Sequence, residues 1–305
     1  MNVIMRPVWN RPEMLYLSIE YELNARKYHN FSSDTLTIFV LDYGYDKKVL
    51  EIVEQYPGPK KIIKRKKRLG LTINILEGMK EAFTYADDYI IYIEDDMIVH
   101  RTYFQFLDVL MGLVNPSEYS VIIGHSKGIH NKGRKNFDAP DADLNMVMKD
   151  HVYAAFASLI RKEFFNDYIL PCIGPTYYKN FNTRDKFVTA LGLKYGNDKR
   201  FKYRGNLMHA HNEQAGLINR LVDVALIEEG KYTLRPVATR TVHIGVYGKN
   251  RPGNIPGKNF KERVSLLRSA IKNNKLYDLT MSKQYDDYEM FSPRLDDWDG
   301  KLYVK

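Results

Sequence analysis

Through the first hundred residues, short apolar runs alternate with longer segments whose apolar positions recur at helical spacing. Residues 3–8 read as a buried strand, and residues 13–28 as a helix with Leu15, Leu17, Ile19, Leu23 and Ala25 near one face. The unit then repeats: a strand over 36–41, a helix over 47–56 carrying Val49, Leu50, Ile52 and Val53, and a stop at Pro57-Gly58-Pro59. A short strand over 61–64 and a helix over 71–86, with Ile75, Leu76, Met79, Ala82 and Phe83 on one side, lead to a fourth strand. Strands and helices alternating at this spacing predict a parallel sheet joined by right-handed crossovers.

The fourth strand, Tyr89-Ile90-Ile91-Tyr92-Ile93, ends abruptly in Glu94-Asp95-Asp96. A β-branched and aromatic run of this kind predicts a strand buried on both faces. The acids then fall at its C-terminal end, where open α/β sheets bind ligands. Repulsion among three such acids is relieved by a divalent cation, and Mg²⁺ or Mn²⁺ held by one or two carboxylates keeps its other positions for water and substrate phosphates. A solvated acidic turn or a helix cap is the plainer alternative.

The second half carries a strand over 119–124, a polar loop over 124–150 suited to a lid or acceptor loop, and a strand over 154–160 followed by Arg161-Lys162-Glu163-Phe164-Phe165. A polar cluster at 209–214, including His209, His211 and Glu213, opens an amphipathic helix. Residues 235–248 alternate like a strand and deliver His243 into a turn with Gly245 and Gly248, followed by Lys249-Asn250-Arg251, a setting suited to phosphate. A basic amphipathic helix over 259–272, with Phe260, Val264, Leu267 and Ile271 on its apolar face, is expected to pack onto the domain. The expected division is one domain over 1–257, with a donor-binding half over 1–110 and an acceptor half over 111–257, then a helix and tail over 258–305.

Composition adds limits. The 305 residues are 44% hydrophobic, enough for a large core, and no apolar run approaches the ~20 residues of a membrane span. The N-terminus lacks a signal-peptide shape, and the single cysteine, Cys172, has no internal partner. Together these predict a reducing, cytoplasmic setting, with Cys172 a packed residue. A net charge of +9, from 46 Lys and Arg against 37 Asp and Glu, favours phosphate-bearing or polyanionic partners. The densest basic run is Lys60-Lys61-Ile62-Ile63-Lys64-Arg65-Lys66-Lys67-Arg68, readable as a solvated face or an anion site.

Four places carry a family resemblance: Asn10-Arg11-Pro12 after the first strand, Val40-Leu41-Asp42-Tyr43-Gly44 ending the second, Arg68-Leu69-Gly70 opening the third helix, and Glu94-Asp95-Asp96-Met97-Ile98-Val99 followed by Tyr103-Phe104-Gln105-Phe106-Leu107. In order and spacing, residues 1–110 resemble the nucleotide-sugar-binding half of GT-A glycosyltransferases. In detail they are similar to the inverting N-acetylglucosaminyltransferases with a Glu-Asp-Asp form of the Asp-x-Asp motif. The resemblance implies a Rossmann-like α/β fold, a mixed, mostly parallel sheet flanked by helices with a C-terminal extension, and transfer of a sugar from a nucleotide-diphosphate donor, UDP-sugar by preference. It implies Asp96 and His243 as ligands of Mn²⁺ or Mg²⁺, and Asp42, Arg68, Glu94, Asp95 and Lys249 as donor-binding residues. Glu213 becomes the catalytic base, with Asp150 and Asp185 as weaker candidates. The chain lacks the tryptophan-flanked paired aspartates of the similar transferases, which leaves inverting and retaining chemistry both open. Acceptors compatible with the charge are hydroxymethylated bases of phage-type DNA, with Lys199-Arg200-Phe201-Lys202-Tyr203-Arg204 as a contact segment, or a saccharide, a lipid-linked glycan or a protein. A non-catalytic nucleic-acid-binding module is the alternative from another class.

Overall fold

A computed structural model describes residues 1–126, 143–151, 153–171, 231–248, 251–273, 275–279 and 291–305, with positions 219, 222, 223, 225, 226, 229 and 230 between them. The first half runs β1 (Val3–Val8), α1 (Pro12–Tyr28), β2 (Leu36–Leu41), α2 (Lys47–Glu54), β3 (Lys60–Lys64), α3 (Leu71–Phe83), β4 (Tyr89–Tyr92), β5 (Met97–Val99) and α4 (Tyr103–Leu113). Then come β6 (Tyr119–Ile123), β7 (Met146–Asp150), β8 (Ser158–Arg161), the short α5 (Lys162–Phe164), β9 (Tyr232–Pro236), β10 (Thr241–His243), β11 (Tyr247–Gly248), β12 (Arg251–Pro252), α6 (Phe260–Lys272) and β13 (Tyr303–Val304).

Nine of these strands form one sheet in the order β13-β7-β9-β6-β8-β4-β1-β2-β3. Strands β4, β1, β2 and β3 run parallel, whereas β8 is antiparallel to both of its neighbours, β4 and β6. The sheet is mixed and mostly parallel, with helices on both faces, as the sequence predicts. The chain winds outward from β1 to β3 and returns to β4 on the other side of β1, so the strand order reverses between β1 and β4. Ligand crevices of open α/β sheets lie at such a point.

Alternation along β1 explains the layers. Val3 and Met5 face a core with Ile75, Leu76 and Met79 of α3, while Val8 faces Leu15 and Ile19 of α1 together with Val49 and Val53 of α2. Each such side chain contributes about 1.5–3 kcal/mol on burial. Gly78 lets α3 lie directly on the sheet: a Cβ there would fall 3.0 Å from a Val40 methyl group and closer still to Met5. Val264, Leu267 and Ile271 of α6 pack against Met14 and Leu17 of α1, so this helix is part of the domain's packing. The last residues also return to the domain. β13 pairs with β7, Leu295 is buried, and Trp298 lies 4.8 Å from the Arg240 guanidinium.

The structure corrects several predicted elements. The strand predicted over 235–248 is three pieces, β9, β10 and β11, because β10 leaves the main sheet to pair with β5, itself unpredicted. The predicted loop over 124–150 ends in β7, which pairs with β9. The strand predicted over 154–160 starts only at Ser158, because Ala157 takes a left-handed φ of 48° that breaks the extended run. The basic run keeps an exposed face at Lys60, Lys64, Lys66, Lys67 and Arg68, while part of it also has partners within the domain: Lys60 donates to the Glu54 and Tyr56 carbonyls, Lys61 to the Tyr85 hydroxyl, and Arg65 to Asn74 and Glu81. Lysines on β3 also suit its place at the sheet edge.

Candidate active site

Two segments meet across the reversal between β1 and β4. After β1 the chain turns through Trp9, Asn10 and Arg11 into α1, whose N-terminal Arg11 makes no capping bond with its side chain. After β4 it delivers Glu94, Asp95 and Asp96 into a turn closed by a Met97 N–H to Glu94 carbonyl bond of 3.3 Å. The Arg11 guanidinium forks across this turn, Nη2 donating to Asp95 and Nη1 to Asp96 Oδ2. Asp95 and Asp96 are 3% and 2% exposed, so both charges would be costly without that cation.

The third wall comes from far along the chain. Pairing of β10 with β5 sets His243 opposite Met97, and the Ile244 N–H donates to the Asp96 carbonyl at 2.8 Å. His243 Nε2 then lies 2.9 Å from Asp96 Oδ2, the oxygen that also faces Arg11. Gly245 makes this approach possible, since a Cβ there would stand 2.5 Å from Asp96 Oδ2 and 2.9 Å from His243 Nε2. Phe156 packs its ring 5.4 Å from His243 and 5.0 Å from His125.

Electrostatics follow from burial. Burial and the Asp96 charge push Glu94 up to about 8, while its Oε1 accepts a 2.6 Å bond from the Tyr92 hydroxyl. Burial also raises Asp95, against the opposing pull of Arg11. Burial by itself would lower Arg11, but Asp95, Asp96 and Glu94 outweigh it and hold the guanidinium more firmly charged. Behind the turn, Arg6 of β1 and Glu22 of α1 form a fully buried ion pair at 2.7 Å. Ser18 accepts from Arg6 and donates to the Met97 carbonyl, tying that pair to the turn.

The sequence-predicted residues divide accordingly. Asp95, Asp96 and His243 come together, with Glu94 in the same turn facing Tyr92. Asp42 spans two loops: its carboxylate accepts from the Tyr43, Leu69 and Gly70 amides at 2.9, 2.9 and 3.0 Å, so it fixes the strand end to the start of α3. Arg68 stacks 4.6 Å from the Trp9 ring, whose indole nitrogen is buried and makes no hydrogen bond among the described residues. Asp150, a weaker base candidate, forms an ion pair with Arg235. Glu213, Lys249, Asp185, Cys172, His209, His211 and the 199–204 segment lie outside the described residues.

Sequence reasoning quoted Arg11 only as part of a motif and missed Trp9, Glu13 and Tyr247. Glu13 is a buried acid in the first turn of α1. It accepts from the Tyr247 hydroxyl at 2.5 Å and forms an ion pair with Arg263 at 2.8 Å, tying β11 and α6 to the rim of the site. An acid directly after Arg11-Pro12 was the available signal.

Among the described residues, no group of three or more His, Cys, Asp or Glu side chains is arranged to hold a metal ion. The pair formed by Asp96 and His243 nevertheless fits one: a hard carboxylate oxygen and an imidazole nitrogen converge beside a glycine whose missing side chain keeps the space open.

The fold is that of a GT-A type α/β domain. Residues 3–169 match the family model described as glycosyl transferase family 2, and the chain belongs to that family. Similar solved structures include the mannosyltransferase PcManGT from Pyrobaculum calidifontis in complex with GDP-Man and Mn²⁺, at 12% identity and a TM-score of 0.38, covering 62% of this chain and 52% of that one. TarS 1-349 from S. aureus is 12% identical with a TM-score of 0.43, covering 69% of this chain and 72% of that one. The chain thus spans about half the length of the mannosyltransferase, 52%. No curated protein shows a significant match. Among the described residues, no helix is long and apolar enough to cross a membrane.

Proposed function

We propose that the protein transfers a sugar from a nucleotide-diphosphate donor, a UDP-sugar, to an acceptor hydroxyl. The observation that carries this reading is the convergence of Asp95, Asp96, His243 and Arg11 at the strand-order reversal of a family 2 domain. Asp96 and His243 would hold Mn²⁺ or Mg²⁺. Such a cation, when bound, neutralises charge on the departing diphosphate. Asp95 and Glu94 are assigned to the sugar and ribose, and Arg68, Trp9 and the Asp42 loop to the nucleoside end. Lys249 is assigned to the diphosphate and Glu213 to the acceptor hydroxyl as base, in keeping with the Glu-Asp-Asp transferases that the sequence resembles. The same reading keeps the donor half at 1–110, the acceptor half at 111–257, the added helix and tail at 258–305, and a cytoplasmic place of action.

For the acceptor, the internal engagement of Lys60, Lys61 and Arg65 favours a saccharide or lipid-linked glycan. Hydroxymethylated DNA is the second reading, supported by the net charge of +9. A panel of nucleotide sugars, with mass-spectrometric detection of donor hydrolysis in Mn²⁺, Mg²⁺ and EDTA, tests the proposal. Asp96→Asn is expected to abolish metal-dependent turnover with the melting transition retained. Turnover near wild type at saturating metal and donor would overturn the site. Duplex DNA binding that weakens steeply with salt would favour the second acceptor, and absent or salt-insensitive binding the first.

A further inference from the structure

The position beside Asp96 that would take a cation already faces one. Arg11 Nη1 donates to Asp96 Oδ2, the oxygen 2.9 Å from His243 Nε2, and Nη2 holds Asp95 at the same time. We propose that Arg11 is a built-in occupant of the cation position, and that a divalent ion enters only by displacing its guanidinium from Asp95 and Asp96. The inference rests on the metal reading above and goes beyond it by giving Arg11 a gating role.

Three features support an exchangeable occupant over a fixed structural pair. The buried acids need a counter-charge at all times, whichever cation supplies it. The Arg11 side chain is 24% exposed, unlike Arg6 behind the turn at 0%, so its outer end has a way to solvent. Gly248 also brings no side chain against it: a Cβ there would stand 3.8 Å from Arg11 Cδ, in ordinary contact. Displacement breaks two charge-assisted bonds, which weakens binding of a bare cation. A cation arriving with a diphosphate brings new anionic oxygens for the released guanidinium. The arrangement therefore selects the cation together with the donor over the cation alone, and the two must strengthen each other's binding by the same factor.

The test measures Mn²⁺ binding by the electron paramagnetic resonance of the free ion, on the full chain, without donor and then with UDP. Wild type is compared with Arg11→Gln, Arg11→Lys and Asp96→Asn. The expected results are weak binding of bare Mn²⁺ by wild type, strengthened by UDP, and bare-ion binding by Arg11→Gln tighter by roughly tenfold or more. Arg11→Lys, which keeps the charge but not the fork, should fall between them. Circular dichroism and melting curves establish that each variant is folded. Asp96-dependent binding by wild type that is unchanged or weaker in Arg11→Gln overturns the gating role while leaving the metal site standing. Absence of Asp96-dependent binding in every variant, with and without UDP, overturns both.

Discussion

Gly245→Ala isolates the steric condition on which the candidate site depends. Gly245 is not among the residues with left-handed φ, so alanine suits its backbone and only the added methyl acts. That methyl would stand 2.5 Å from Asp96 Oδ2, 2.7 Å from His243 Cε1 and 2.9 Å from His243 Nε2. Ordinary contact begins at 3.4 Å, so the carboxylate oxygen must retreat by roughly 0.9 Å (3.4 − 2.5) or the imidazole must swing away. Overpacking of this kind costs about 1–3 kcal/mol, and loss of the bond between Asp96 and His243 adds about 1 kcal/mol. The melting temperature should fall by several degrees, at about 2–4 °C per kcal/mol. Separation of the two donor atoms should lower Mn²⁺ affinity and donor hydrolysis about 10–100-fold, the scale seen when groups that orient metal ligands are displaced. Differential scanning fluorimetry with and without Mn²⁺, alongside hydrolysis rates, reads both effects. Wild-type Mn²⁺ affinity and turnover in a folded Gly245→Ala protein would refute the reasoning.

Burial lowers His100 from 6.5 to about 4 despite the pull of Asp296, and its Nδ1 accepts from the Thr102 N–H at 3.3 Å, which suits the neutral ring. The unfolded chain therefore binds the extra proton first. The native state loses stability as pH falls from 6.5 toward about 4, by on the order of 2–3 kcal/mol, and His100→Gln should flatten that acid limb in urea melts; parallel curves would reject the assignment. Arg6→Met removes the partner 2.7 Å from Glu22 and leaves that buried acid only Arg26 at 3.4 Å and the Tyr56 hydroxyl, which should cost up to about 3 kcal/mol, whereas adding Glu22→Leu should restore part of the loss. Strict additivity in the denaturation cycle would count against that coupling.

The first hundred residues were legible because their signals are local. The helical spacing of Leu15 and Ile19, the Pro57-Gly58-Pro59 stop and the apolar run ending at Glu94 each lie within one window of sequence, and each places its element to within a few residues. The pairing of β5 with β10 was not legible. Each strand is three residues long, and His243 meets Met97 across 146 positions (243 − 97), so no periodicity announces it. Yet that pairing carries His243 to Asp96. The break before β8 was hidden for a different reason: Ala154 to Ile160 is apolar apart from Ser158, and nothing in alanine marks the left-handed turn at Ala157. Charge runs were legible only in part. Lys60 to Arg68 looks like a free basic face in one dimension, but Glu54, Tyr85 and Glu81 come to it from neighbouring helices and their ends.

Arg6 on β1 and Arg11 just beyond it serve one turn from opposite sides. Both follow from the alternation and end of β1: Arg6 points into the layer beneath α1, and Arg11 opens α1 at the strand's carboxyl end. Arg6 is sealed, meeting Glu22 and Ser18 with no exposure, and Ser18 passes its position on to the Met97 carbonyl. A sealed ion pair adds little net stability over an apolar pair, but it resists rearrangement because any movement strands a charge. It therefore suits the back of a turn that must hold Asp95 and Asp96 in place. Under the proposed function the front of that turn has the opposite requirement, since a cation and a diphosphate would enter there. Arg11 meets it by pairing with both acids from the partly exposed side of the crevice. One guanidinium thus fixes the turn from behind, and another pairs with its two carboxylates from in front.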